Sequence, residues 1–104
     1  MIVVGWNNGS PNNRTGAGYG IRIKRRDRDE HFRCEWTFAN MELDKGDLVN
    51  IKLSNSFWKH CIELRSAKIG KWMIRYKIAP WPKGDPPHLR LEQINGNRFK
   101  LSRF

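Results

Sequence analysis

Apolar and polar positions alternate along much of this chain, and the alternation lays out most of its strands. Ile2 to Trp6 is a short apolar run that predicts a strand. From Tyr19 to Lys24, the apolar Tyr19, Ile21 and Ile23 alternate with Gly20, Arg22 and Lys24. That is the period-two pattern of a half-buried strand, and its wet face is basic. Asp27 followed three residues later by Glu30 resembles a capping box and predicts a short helix through His31 and Phe32. Trp36 to Leu43 and Leu48 to Leu53 flank Asp44-Lys45-Gly46-Asp47, which predicts a hairpin. In its second strand Val49, Ile51 and Leu53 alternate with Leu48, Asn50 and Lys52.

From Ser56 the period changes. Phe57, Cys61 and Leu64 fall at helical spacing, and Ile69, Trp72, Met73 and Tyr76 form an i, i+3, i+4, i+7 stripe. Two helical segments are expected, broken near Ser66. On the second, Lys68, Lys71 and Arg75 recur along an edge beside the apolar stripe. Pro80, Pro82, Pro86 and Pro87 end the helix and hold Ala79 to Pro87 as an extended loop. The last stretch predicts a hairpin with a three-residue loop, Ile94-Asn95-Gly96, in which Leu91 faces Phe99 and Leu89 faces Leu101. Its wet face then carries Arg90, Glu92, Arg98 and Lys100. A two-residue Asn95-Gly96 turn would mix the faces and is rejected. Six strands, a short helix and a longer helical segment predict an α+β fold, with a small, mostly antiparallel sheet curling toward a barrel. Residues 1–104 form a single domain, with residues 7–18 as a flexible polar arm.

Composition narrows the class. Within 104 residues, twenty Lys and Arg stand against ten Asp and Glu, a formal net charge of +10, yet 38% of the chain is apolar. Five Trp and five Phe argue against a disordered basic tail, and the chain has no apolar run long enough to span a membrane. No membrane partner is expected. The N-terminus has no basic region followed by a long apolar stretch, so no export signal is expected, and a cytoplasmic protein is anticipated. Cys34 and Cys61 lie far apart in sequence and outside any C-x-x-C pattern, which suits reduced thiols. The charge is uneven: residues 34–54 are mildly acidic, whereas basic residues concentrate around Arg22 to Arg33 and Lys59 to Lys77. An excess of this size draws polyanions, and nucleic acid is the commonest partner.

Residues 7–20 contain no aliphatic side chain larger than Ala17 and cannot form core. Gly16, Gly18 and Gly20 superficially suggest a phosphate-binding loop, but a strand follows instead of a helix, so no helix N-terminus is available for a pyrophosphate. No cofactor is expected. What remains is an arm whose amides, Asn12 and Asn13 among them, and whose guanidinium, Arg14, can bond to phosphates or base edges. Trp36, Phe38, Trp72, Tyr76 and Phe99 occupy core-facing positions. Phe57 and Trp58 are adjacent, so both cannot face one core from a helix. Trp81, held in a loop between Pro80 and Pro82, could stack on a base or cover the sheet.

His31, His60 and His88 allow a metal-independent ribonuclease as an alternative, but no motif places them together. A zinc site from His31, Cys34, His60 and Cys61 is disfavoured, because neighbouring residues on a helix diverge by about 100°. Asp27, Asp29 and Glu30 are better explained by helix capping than by metal-dependent nuclease chemistry.

Lys71-Trp72-Met73, followed by Lys83-Gly84-Asp85 and the hairpin from Leu89 to Leu101, resembles the end of B3-like DNA-binding pseudobarrels. That resemblance covers about a third of the chain. It implies a barrel-like fold and duplex DNA as ligand, bound in the major groove by two loop arms on one face. Arg22, Lys24, Arg25, Arg26, Lys68, Lys71 and Arg75 are then the expected phosphate contacts, with Trp81 and Lys83 nearby and base readout by Asn12, Asn13 and Arg14. The expected function is a non-enzymatic nucleic-acid-binding domain, duplex DNA being favoured over RNA. A basic module that docks on an acidic protein is the remaining alternative.

Overall fold

A computed structural model describes residues 1–43 and 46–104. The elements run β1 (Ile2–Asn7), β2 (Tyr19–Arg22), α1 (Arg25–His31), β3 (Phe38–Leu43), β4 (Asp47–Lys52), a 3-10 turn (Asn55–Trp58), β5 (Glu63–Arg65), α2 (Ala67–Arg75), β6 (His88–Asn95) and β7 (Arg98–Ser102). The seven strands form one sheet in the order β4-β3-β7-β6-β1-β2-β5, and the edge strands β4 and β5 approach each other, so the sheet is nearly closed and barrel-like. The sheet is mixed, because β3 and β7 run parallel, whereas a mostly antiparallel sheet was expected. The chain between β3 and β7 is long enough for such a crossover, and no local pattern reveals which distant strands it brings side by side.

Alternation decides what each strand buries. Val3, Tyr19, Ile21, Ala39, Met41, Leu43, Val49, Ile51, Leu64, Leu89, Leu91, Phe99 and Leu101 point inward and are nearly devoid of solvent contact. Phe38, expected in the core, lies on the outer face at 43% exposure, because Ala39, Met41 and Leu43 take the inward positions of β3. Trp36 sits just ahead of the strand, edge-on to Phe32 and Phe99.

The two helices lie toward opposite ends of β2. α1 follows the end of β2 and begins at Arg25, so Asp27 lies inside its first turn instead of capping it, and Lys24 takes the cap position with no side-chain bond. At the far end, α2 is capped by Ser66, whose Oγ accepts from the Lys68 N–H, and buries Ile69, Trp72 and Met73. The expected helical segment through Cys61 and Leu64 is instead a 3-10 turn followed by β5. There Ile62 and Leu64 point inward and pairing with β2 outweighs the helical spacing, which makes seven strands instead of six.

In the C-terminal hairpin Leu91 pairs with Leu101 and Glu92 with Lys100, and a bulge at Gln93 to Asn95 precedes a two-residue Gly96-Asn97 turn. The register is thus shifted by two residues from the expected one. An even shift leaves the faces intact, so the apolar face remains inside. The turn is fixed from outside, since the Asn97 side chain donates to the Phe38 carbonyl and Gln93 donates to the carbonyls of His31 and Gly96. Of the Asp44-Lys45-Gly46-Asp47 turn expected between β3 and β4, Asp44 and Lys45 lie outside the described residues.

One contact joins the segment before β2 to α2. Gly16, at φ +81°, lies so close to the helix that a Cβ would stand 2.3 Å from the Ala67 carbonyl oxygen. A Cβ on Gly70 would stand 2.1 Å from the Gly16 oxygen. Gly70→Ala adds intrinsic helix propensity of about 1 kcal/mol, yet the overpacked contact should reverse the sign, leaving a net loss of about 2 kcal/mol in urea denaturation.

Candidate nucleic-acid interface

The arm between β1 and β2 is built from its own polar groups. The Asn12 Oδ1 accepts from the N–H groups of Arg14 and Thr15, at 2.8 and 3.0 Å. The Gly16 N–H returns to the Asn12 carbonyl, and the Asn8 N–H bonds to the carbonyl of Gly18. Tyr19 donates its hydroxyl to the Asn13 Oδ1 and is otherwise buried at the root of the arm. Burial pushes the Tyr19 phenol above its ordinary pKa. The side-chain oxygens of Asn12 and Asn13 therefore shape the loop, whereas Arg14 is presented from it, exposed.

Gly16 seats this arm on α2, and as a result Arg14 joins Lys68, Lys71 and Arg75 around one groove of about 740 Å³. Four of the expected cations thus meet. The groove is also lined by Leu43, Val49, Trp72, Ile74 and Tyr76, with Asp47 and Leu48 on the strand side.

Arg22, Lys24, Arg25 and Arg26 lie toward the opposite end, where β2 passes into α1, and all four are exposed. Arg22 belongs to the outer face of the β1-β2-β5 ladder, beside a shallow depression of about 600 Å³ lined by Trp6, His60, Cys61, Glu63 and Arg65. The Glu63 carboxylate is nearly buried between two guanidinium groups, 3.4 Å from Arg22 and 3.1 Å from Arg65. Two cations share one anion, so the face keeps an excess of positive charge. Arg65 also lies 4.8 Å over the Trp6 ring. In the strand register, Trp6 and Arg65 sit opposite Gly20 on its two sides, and no side chain stands between them, because the Leu64 carbonyl oxygen lies where it would stand 2.3 Å from a Cβ on Gly20. Trp6 and Arg65 were not among the expected site residues. The signal was present in the alternation of buried Val3 and Gly5 with outward Val4 and Trp6, but the apolar run masks it.

Trp81 and Lys83 go elsewhere. Trp81 is half-buried, edge-on to Tyr19 at 5.6 Å and packed where Gly5 leaves room, while Lys83 is exposed in the following turn.

His31 bonds to Gln93 near the β6-β7 turn, His60 lies ahead of β5, and His88 starts β6 opposite Val4. β6 and β5 are three strand spacings apart, roughly 14 Å, so the three histidines lie on separate elements. Among the described residues the potential metal ligands that come together are Asp27, Glu30 and His31 of α1, and Cys34 and Cys61 are free thiols. No described helix is long and apolar enough to cross a membrane. No family model matches the chain, and neither curated proteins nor solved structures give a match.

The raised Tyr19 phenol ties the arm to pH. A phenol whose folded pKa exceeds its unfolded value contributes stability that is whole below about pH 10 and is lost as pH rises through the folded pKa. Tyr19→Phe should cost about 1 kcal/mol at pH 8 for the lost bond to Asn13. That gap between variant and parent should narrow above pH 10, as read from urea midpoints at pH 8 and pH 11.

Proposed function

We propose that this protein is a non-enzymatic domain that binds duplex DNA through the outer face of β1, β2 and β5. The observation that carries the reading is the placement of Trp6, Arg22 and Arg65 on one strand face between two loops at its opposite ends. One loop is the arm that bears Arg14. The other is the connection from β4 to β5, with Lys59 and His60 exposed. Lys24, Arg25 and Arg26 extend the cationic surface beyond one end of the face, and Lys68, Lys71 and Arg75 flank the arm at the other.

Phosphate oxygens along a duplex call for this kind of dispersed, exposed cation, since each neutralised phosphate releases counterions. The longest dimension of the domain is 33 Å, so its footprint is limited to about one turn of B-DNA, roughly 34 Å. The resemblance of the C-terminal third to B3-like pseudobarrels, whose members grip the major groove with two loop arms, points to the same ligand. Base readout falls to Arg14, a guanidinium on a loop, which suits guanine.

Fluorescence anisotropy with labelled duplex DNA, single-stranded DNA and RNA at several salt concentrations tests this directly. The duplex should bind most tightly, with a steep salt dependence. Replacing Lys68 and Lys71 together by Gln should lower the salt slope by about two without altering preference among sequences. An unchanged slope would remove that helix edge from the interface. Arg14→Gln should instead change the ranking of duplex sequences, and a uniform loss on all of them would assign Arg14 to the backbone. Binding to none of the three nucleic acids at low salt would reject the function.

A further inference from the structure

The strand face accounts for Trp6, Arg22 and Arg65, but it leaves the groove beside α2 unexplained. A phosphate backbone needs cations on an open surface. It offers nothing apolar to fill a hollow floored by Leu43, Val49, Trp72 and Ile74. At about 740 Å³ the hollow falls within the range of small-molecule sites. We propose that this groove is a binding site for a nucleoside phosphate, with the base on the apolar floor and the phosphate among Arg14, Lys68, Lys71 and Arg75. This goes beyond duplex binding and does not depend on it.

The chemistry of the lining selects this class. The cations gather on one side, from α2 and the arm that Gly16 docks on it, while Asp47 faces them from the start of β4. A ligand that is an anion at one end and an amino-bearing ring at the other suits both, since a carboxylate accepts from an exocyclic amine. A simple inorganic anion would use only the cations, and an apolar ligand would leave them unpaired. Trp72, 6% exposed, belongs to the apolar lining of the groove. Tyr76 closes one side of the groove beside Trp72, with the Arg75 guanidinium 5.8 Å from its ring centre.

The test is a titration of the whole chain with ATP, inorganic triphosphate and adenosine, followed by calorimetry and by amide chemical shifts. Stacking of the base should make ATP bind at least about tenfold more tightly than triphosphate at the same salt. The shifts should gather at Arg14, Leu48, Val49 and Lys68 to Tyr76. Arg14→Gln combined with Lys71→Gln, both at exposed positions, should weaken ATP by about tenfold or more with an unchanged circular dichroism spectrum. Equal affinity for triphosphate and ATP would overturn the proposal, as would shifts confined to Trp6, Arg22 and Arg65, or no binding at millimolar ATP.

A single-stranded oligoadenylate separates the two sources of the ligand. Tighter binding than ATP at the same amides marks an unpaired nucleotide of a strand as the natural occupant, and weaker binding marks the free nucleotide. Trp6→Ala with Arg65→Gln should weaken blunt duplex while leaving ATP affinity unchanged, so loss of either reading is visible without the other.

Discussion

The backbone of Gly16 rests on the backbone of Gly70 with no space for a side chain on either. Most of the cationic architecture at that end of the barrel follows from this contact. An arm of polar residues has no core of its own and would otherwise have no reason to stay near α2. With the contact made, Arg14 is carried to the flank of the helix that bears Lys68, Lys71 and Arg75, and four like charges share one groove. Their mutual repulsion is tolerable because the side chains open to solvent, where screening is strong. The contact also demands a left-handed backbone at Gly16, which glycine adopts without steric cost.

The opposite end is held by a different device. Arg28 is the buried cation of α1, and it donates to the Phe57 carbonyl at 3.0 Å, pairs with Asp29 at 2.9 Å and lies 5.7 Å from the Trp58 ring centre. These contacts fasten the connection from β4 to β5 onto α1. Each helix therefore pins one of the two loops that bound the outer face of β1, β2 and β5. At one end the fastening is a close approach of two backbones, and at the other it is a charge held by hydrogen bonds and an aromatic ring. A buried guanidinium left without those partners would be strongly destabilising, so Asp29, Phe57 and Trp58 act as a set.

What was legible in the sequence was whatever a single strand or helix decides alone. The inward faces of β2, β4, β6 and β7 and the stripe on α2 could be read from periodicity, because burial imposes it residue by residue. What depends on distant partners was not legible. The parallel pairing of β3 with β7 is a tertiary choice, and so is the bulge that shifts the last hairpin, since Asn97 and Gln93 bond to Phe38 and His31 far along the chain. Leu64 fits a helical spacing as well as a strand, and only the edge of β2 decides between them. For the site, the gathering of Lys68, Lys71 and Arg75 along one edge was predictable, but their meeting with Arg14 was not, because nothing local says that a glycine of one loop will dock on a glycine of a later helix.

The same limit explains why Trp6 and Arg65 were missed. Their significance lies in a third residue, Gly20, which contributes no side chain at all. Across a ladder, residues one strand apart are ordinarily neighbours, and residues two strands apart are screened by the side chain between them. Removing that side chain lets a guanidinium and an indole meet across β2, where Gly20 itself is buried. Glycine in the centre of a strand weakens the sheet. The cost is intelligible here because the backbone of β5 occupies that space, the Leu64 carbonyl oxygen standing 2.3 Å from where a Cβ on Gly20 would be, so the close approach that seats β5 on β2 is also what brings Arg65 over Trp6.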